Sequence, residues 1–259
     1  MPAARGTATL RRMWPVETLA IVGATFLLAG MVKGVVGLGL PTVALAVLAV
    51  TLGHREAMAL MLIPSLVTNL WQMLDGGHLR ALLRRLWPLL LAVCAGVWLG
   101  ASLLARADPA LASTVFGLML IAYGTLGLTR PHTPAPGPRE RWLSPLIGAV
   151  NGVVTGLTGS FVVPGVLYLE SLALPRDALI QAMGLLFSVS TLMLGGALAG
   201  QALLPGELGL LSVLAMLPTV AGMWAGRALR RRLSEARFRR VFFVALLALG
   251  LYLVLRPLL

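Results

Sequence analysis

Two short stretches interrupt apolar segments at the depth where a membrane helix is normally continuous. The first reads MVKGVVGLGLP, from Met31 to Pro41, and the second reads NGVVTGLTGSFVVP, from Asn151 to Pro164. The surrounding apolar segments are longer than the roughly 20 residues that a helix needs to cross a bilayer. Glycine and proline leave backbone groups unpaired, so this backbone must face protein or a water-filled cavity. Breaks at matching places in two halves of a chain are typical of a transporter's binding site.

The composition places the chain in a membrane. It has 259 residues, of which 58% are hydrophobic and 12% charged, whereas soluble domains are about 25% charged. The net charge of +12 comes from arginines that cluster between the apolar blocks, as expected of connections held on the cytoplasmic side. We therefore predict a multi-pass membrane protein whose partner is the lipid bilayer, and no binding of nucleic acid. The sequence leaves homo-oligomerisation open.

The apolar blocks predict an all-α polytopic membrane protein with about eight to nine transmembrane helices. A proline-rich connector divides the chain almost in half. We assign residues 1–129 to a first membrane repeat, residues 130–142 to a linker, and residues 143–259 to a second membrane repeat.

Four matched pairs of short segments support a duplication. They occur in the same order in both halves, and the Gly-x-Trp-x-Gly pair is the most specific of them. The pairs are residues 34–36 with 152–154, 54–57 with 175–178, 96–100 with 222–226, and 108–110 with 234–236.

The arginines indicate that the two repeats lie oppositely in the membrane. The basic connection follows the second block in the first half, at residues 80–85, but follows the third block in the second half, at residues 227–240. Under the positive-inside rule this shift predicts inverted repeats, with a cytoplasmic N-terminus and a periplasmic C-terminus.

The sequence carries no signature of an enzyme. Its three histidines lie in connections without cysteine or carboxylate partners at metal-ligand spacing, and its carboxylates lie at or near the ends of the apolar blocks. We expect no catalytic residue, no metal and no cofactor.

Lys33 is the one charged residue deep within an apolar block. Ionisable residues at such depth are costly and mark functional sites. In one interpretation, Lys33 reaches the membrane surface or satisfies a carbonyl at the helix break. In the other, it supplies positive charge to an anion site, assisted by N–H groups at half-helix N-termini. Asn151 is its aligned counterpart.

Polar residues form a second candidate group. Ser65, Asn69 and Gln72 are spaced to share one helix face, and Gln181 and Ser188 are their counterparts in the second half. Such side chains often form hydrogen bonds between helices. As paired stripes beside the broken segments, they are interpreted as pore lining.

These features resemble the TauE/SafE sulfite exporter family of bacterial membrane permeases. The resemblance rests on the second glycine-rich stretch ending in Val163-Pro164, and on the continuation from Arg176 to Gly184. It implies transport of small sulfur oxyanions or organosulfonates across the bacterial inner membrane.

We therefore predict a permease for a small anion, either a sulfur oxyanion or an organosulfonate or other organic acid. The alternative is a non-transporting scaffold or accessory subunit of another membrane complex. The substrate is expected between the two breaks, near the bilayer midplane. The candidate substrate-binding residues are Lys33, Gly34, Gly37, Gly39, Asn69, Gln72, Asn151, Gly152, Thr155, Gly159, Ser160, Gln181 and Ser188.

Overall fold

A computed structural model describes residues 14–129, 134–230 and 234–256, and in these residues the regular structure is helical throughout. A short 3-10 helix, Gly137–Arg139, precedes the second half. The α-helices are α1 (Val16–Val36), α2 (Leu40–Thr51), α3 (His54–Leu74), α4 (Leu79–Arg106), α5 (Pro109–Thr129), α6 (Glu140–Thr158), α7 (Gly165–Ser171), α8 (Arg176–Gly200), α9 (Gly206–Leu214), α10 (Met216–Arg230) and α11 (Glu235–Leu255).

Seven helical segments are long and apolar enough to cross a membrane: α1, α3, α4, α5, α8, α11 and the combined α9–α10. The protein is therefore a multi-pass membrane protein. Helix α6 has 19 residues and is not among the seven. Helix α2 has 12 residues, or about 18 Å, which is too short to cross a bilayer core. Helix α6 begins at Glu140, inside the range predicted as linker, and residues 130–133 of that range lie outside the described residues.

Both predicted breaks are confirmed. Helix α1 ends at Val36, and Gly37 and Gly39 follow with φ of 87° and 100° before α2 begins. Helix α6 ends at Thr158, and Gly159 has φ of 72°. Residues that have a side chain rarely adopt this left-handed backbone conformation, so glycine is needed at these turns. The second break also contains a cis peptide bond between Val163 and Pro164.

The first helix of each half packs against the fourth helical segment of the other half. Between α1 and α10, a Cβ atom on Gly34 would lie 2.4 Å from the carbonyl oxygen of Met223, and one on Gly222 would lie 2.1 Å from that of Leu27. These helices run parallel, because residue numbers increase together along the contact. The backbones touch so closely that only glycine fits, as in small-residue packing of membrane helices.

Helices α4 and α6 repeat this arrangement. A Cβ atom on Gly96 would lie 2.5 Å from the carbonyl oxygen of Ala149, and one on Gly152 would lie 2.4 Å from that of Val93. The two helices again run parallel. The duplicated Gly-x-Trp-x-Gly segments therefore hold the two halves of the protein together.

Two further helix pairs, α3 with α8 and α5 with α11, run antiparallel. Gly195 of α8 lies near Leu62 of α3, and Gly117 of α5 lies near Gly250 of α11. The short connections between successive helices fix the remaining directions. Helices α1, α3, α5 and α10 end at one face, which we call the basic face. It carries Arg80, Arg84, Arg85, Arg227 and Arg230.

The other side, which we call the opposite face, contains the start of α3 and the end of α11. Arg256 after α11 lies beside the carbonyl oxygen of Val50 near the end of α2. Helix α10 runs from the opposite face to the basic face. Because α1 runs parallel to α10, α1 also starts at the opposite face. The first residue of α1 and the last residue of α11 thus share one face, which contradicts the sequence prediction of termini on opposite sides.

Candidate functional site

Lys33 is buried near the end of α1, with 5% of its surface exposed. Its Nζ donates hydrogen bonds to Thr68 Oγ1 at 3.1 Å and to Asn69 Oδ1 at 2.5 Å. Among the described residues, no carboxylate lies within ion-pair distance of the ammonium group. The site therefore contains a buried amine that bonds to neutral side chains and that no carboxylate of the described residues neutralises.

This site has hydrogen-bond donors to spare. An ammonium group has three donors, and the two bonds to α3 leave one of them. The Asn69 Nδ2 is also buried and has no acceptor within the described part of the chain. Leaving a buried donor unpaired costs about 1–3 kcal/mol, so each of these two groups favours an acceptor. A small anion can supply one to Lys33, which lines a cavity, whereas Asn69 does not line it.

Pro64 in α3 helps to position these groups. The Thr68 hydroxyl donates to the Pro64 carbonyl oxygen at 2.7 Å, which turns its lone pairs towards Lys33. Because Pro64 has no N–H, the carbonyl oxygen of Leu60 loses its helical partner, and Ser212 Oγ of α9 donates to it at 2.7 Å. A side chain from the second half thus stabilises the helix that holds Lys33.

A cavity of about 460 Å³ leads from the basic face to Lys33. Three positive side chains and one carboxylate line it, so the charge along its wall favours anions. Its polar, charged and glycine lining residues are Lys33, Gly34, Gly37, Thr68, Gln72, Asp75, Arg227 and Arg230. The volume is within the usual range for small-molecule sites.

Comparison with known proteins identifies the family of this chain. The family model described as Sulfite exporter TauE/SafE matches residues 22–253, which include both breaks and all or most of every long helix. The chain belongs to the TauE/SafE family. Searches of curated proteins and of solved structures gave no significant match.

The second broken segment of this TauE/SafE protein is held by bonds within itself. Asn151 Oδ1 accepts a hydrogen bond from the Gly165 N–H at 2.9 Å, and Thr155 Oγ1 donates to the carbonyl oxygen of Ser160 at 3.1 Å. The Asn151 Nδ2 is buried without an acceptor in the described chain. Within the described residues, no hydrogen bond joins this group to the Lys33 group. The predicted residues therefore form two clusters, one in each half.

The predicted glycines have two different roles. Gly34 and Gly152 lie inside helices and permit the close packing of α1 on α10 and of α6 on α4. Gly37, Gly39 and Gly159 form the turns, and Gly37 also lines the Lys33 cavity. Gly39 lies against Phe242 of α11, outside that cavity.

The predicted glutamines join α3 to α8 at the basic face. Gln181 Nε2 donates to the carbonyl oxygen of Met73 at 2.8 Å, and its Oε1 accepts from the His78 N–H at 2.7 Å. Gln72 Nε2 donates to the carbonyl oxygen of Ile180 at 2.9 Å while its side chain lines the cavity. Ser188 is buried on α8, and its hydroxyl has no partner among the described residues.

The space between the two breaks is apolar where they approach each other. A cavity of about 410 Å³ contacts Leu38 of the first break and Val162 and Val163 of the second, together with Tyr123 and Phe242. Glu170 and Arg239 are the charged residues of its lining. The polar cavity instead lies between α1, α3 and α10, away from the second break.

Seven lining residues are absent from the sequence-based list of binding residues, and among them are Thr68, Arg227 and Arg230. Thr68 lies three residues after Ser65, so the helical spacing that selected Asn69 also applies to it. The two arginines entered the sequence argument only as evidence of topology. The packing of α10 on α1, which brings them above Lys33, joins residues almost 200 positions apart and leaves no local signal.

Proposed function

We propose that this chain transports a small sulfur oxyanion or organosulfonate across the bacterial inner membrane, with Lys33 as the group that selects for negative charge. The observation that carries the proposal is the buried ammonium of Lys33, which has neutral hydrogen-bond partners and an open cavity in front of it. Membership of the TauE/SafE family supports the substrate class.

Charge selection follows from the surroundings of Lys33. A cation entering the cavity is repelled by the ammonium group and by Arg227 and Arg230. A neutral solute gains nothing from the charge and must displace the water that solvates the ammonium group. An anion gains a charge-assisted hydrogen bond from Lys33, and this bond is stronger at a buried site than in water.

The proposed architecture is a pair of inverted repeats. Corresponding helices run in opposite directions, and the corresponding pairs are α1 with α6, α3 with α8, α4 with α10, and α5 with α11. The first helix of each half packs on the other half. Counting α6 as a membrane crossing gives eight crossings, with α2 and α7 as the short returning helices. Inverted repeats with broken helices allow a site to open alternately to the two faces as one half moves against the other.

This arrangement favours transport over the scaffold alternative and over enzymatic activity. A scaffold has no use for an unneutralised buried charge at the end of a cavity. The described residues contain no cluster of three or more histidine, cysteine or carboxylate side chains that could hold a metal. Lys33 is solvated by a threonine and an asparagine, and neither provides the base or acid that covalent chemistry needs.

The test is transport by purified protein in liposomes. Sulfite, thiosulfate, a small organosulfonate, acetate and an uncharged sulfone would be compared, with uptake and efflux both measured. We expect movement of one or more sulfur-containing anions and no movement of the uncharged analogue. Failure to move any anion, together with stable co-purification of another membrane protein, would support the scaffold instead.

A further inference from the structure

A second charged cavity lies on the opposite face and has no part in the site described above. Its volume is about 510 Å³, and it lies between α2, the start of α3, the start of α5 and the end of α11. Arg55 and Arg256 give it two positive charges, and Glu56 gives it one negative charge. Its other polar or glycine lining residues are Gly53, His54 and Ser113.

Arg55 has only part of its guanidinium group occupied. One terminal nitrogen, Nη2, lies 3.3 Å from the carbonyl oxygen of Leu104 and 3.4 Å from that of Ala107, where α4 ends. These two contacts fix the side chain in place. The Nε is buried and has no acceptor among the described residues. A fixed guanidinium group with a buried, unused donor is suited to an oxyanion, which accepts from two of its nitrogens at once.

Arg256 approaches the same cavity from α11. Its side chain is exposed, and Nη1 lies 3.5 Å from the carbonyl oxygen of Val50, so the guanidinium group is free to turn towards a ligand. The carboxylate of Glu56 is folded back on the turn before α3, where Oε2 lies within 2.5 Å of the position that a Cβ atom on Gly53 would take. That placement keeps Glu56 at the start of its own helix, where negative charge is favourable.

His54 forms the buried end of the cavity. It is 5% exposed and stacks on Phe116 with 5.1 Å between ring centroids. One ring nitrogen is directed at the backbone carbonyl of Leu157 in α6. A neutral imidazole has one N–H donor, so the His54 ring shapes and closes this end of the cavity, and the two arginines supply the donors for a ligand.

We propose that this cavity is a second oxyanion-binding site, formed by Arg55 and Arg256, with the ring of His54 closing its buried end. It takes a small tetrahedral or pyramidal oxyanion at the face opposite to the Lys33 cavity. Only the identity of its natural ligand rests on the proposed function, because the ligand is then the transported anion as it enters or leaves. A site for inorganic phosphate would use the same chemistry.

Anion binding to a variant that lacks the first site tests this proposal. Full-length Lys33→Met protein would be titrated with sulfite and with inorganic phosphate by calorimetry. We expect one remaining site, weakened about tenfold or more by Arg55→Gln or by Arg256→Gln, because each change removes a charged hydrogen-bond donor. Arg106→Gln is the matched control, since Arg106 is exposed on the same face and does not line the cavity.

Each outcome bears on the proposal. Preference for sulfite would identify the ligand as the transported class, and equal or tighter binding of phosphate would identify a general oxyanion site. Loss of all binding in Lys33→Met would overturn the proposal, as would equal binding by the Arg256→Gln and Arg106→Gln proteins. Arg256→Gln keeps the test valid if Arg55→Gln does not fold. Arginine-dependent binding in a protein that transports no anion would refute the proposed function but not this site.

Discussion

Replacing Lys33 with methionine removes the charge of the proposed site and keeps most of its volume. Lys33 contributes one unit charge and one charge-assisted hydrogen bond to a bound anion. At about 4 Å and an effective dielectric constant of about 20, the charge alone contributes about 4 kcal/mol, and a hydrogen bond to a charged group about 1.5–3 kcal/mol. These contributions do not add in full, because water in the open cavity screens the charge and the anion gives up its own hydration on binding. We therefore take about 2–4 kcal/mol for the whole loss, and we expect anion affinity and transport efficiency to fall about 30- to 1,000-fold.

The same change has a small effect on folding. Methionine lacks the hydrogen bonds from Lys33 to Thr68 and Asn69, which leaves Asn69 Oδ1 without its donor. The change to methionine also removes a buried charge that has no counter-ion, and the removal of such a charge stabilises the folded protein. These two effects oppose each other, so we expect the yield of folded protein and its melting temperature to stay near those of the unmodified chain.

Transport in proteoliposomes and thermal unfolding in detergent separate the two effects. Lys33→Arg is the matched control, since it keeps the charge with a different geometry, and we expect it to retain part of the transport. Normal transport by Lys33→Met would refute the role of Lys33 in selecting anions. Loss of folded protein in both variants would instead make Lys33 a structural residue.

Four further predictions follow from the same contacts. Asn69→Asp places a carboxylate beside Lys33, so we expect the folded protein to persist while anion transport is lost, and unchanged transport would contradict the site. Arg227→Gln and Arg230→Gln should raise KM for entry from the basic face about two- to fivefold at low salt and by less at high salt. Arg84 is exposed on the same face but lies outside the cavity, so Arg84→Gln should leave KM unchanged. Gly96→Ala should reduce the folded yield, because its Cβ atom would lie 2.5 Å from the Ala149 carbonyl oxygen, whereas Gly209→Ala in α9 meets nothing within 4 Å and should be neutral or stabilising. Reporter fusions at the two ends of the chain should give the same side of the membrane, and opposite sides would refute the helix directions described above.

Local sequence was sufficient to predict the two breaks and the buried lysine beside the first of them. Glycine in a left-handed turn and a lysine inside an apolar block are features of neighbouring residues, and both were found where expected at Gly37, Gly159 and Lys33. The polar face of α3 that Lys33 contacts could also be predicted, because the spacing of Ser65, Asn69 and Gln72 places them on one side of the helix.

The walls of the cavity could not be predicted in the same way. They depend on which helix of one half packs against which helix of the other, and that packing is decided by backbone contacts at glycines. Gly34 looked like a ligand of the anion, but its missing Cβ atom is what lets α10 approach and bring Arg227 above Lys33. Gln181 looked like pore lining, but its amide donates to the Met73 carbonyl oxygen and accepts from the His78 N–H, which joins α8 to the end of α3.

The difference between Lys33 and its counterpart Asn151 also limits the charge of the anion. Asn151 uses its carbonyl oxygen to hold the N–H of Gly165 at the second break, so the second half contributes no charge at this position. One ammonium group at the buried end of the cavity is neutralised by one negative charge. A dianion would leave a net negative charge buried beside Asn69 and Thr68, and an unpaired buried charge costs several kcal/mol. On the proposed function, and with Arg227 and Arg230 counted in the cavity wall rather than at its buried end, we expect Lys33 to favour a monoanion, such as a sulfonate or hydrogen sulfite, over sulfate.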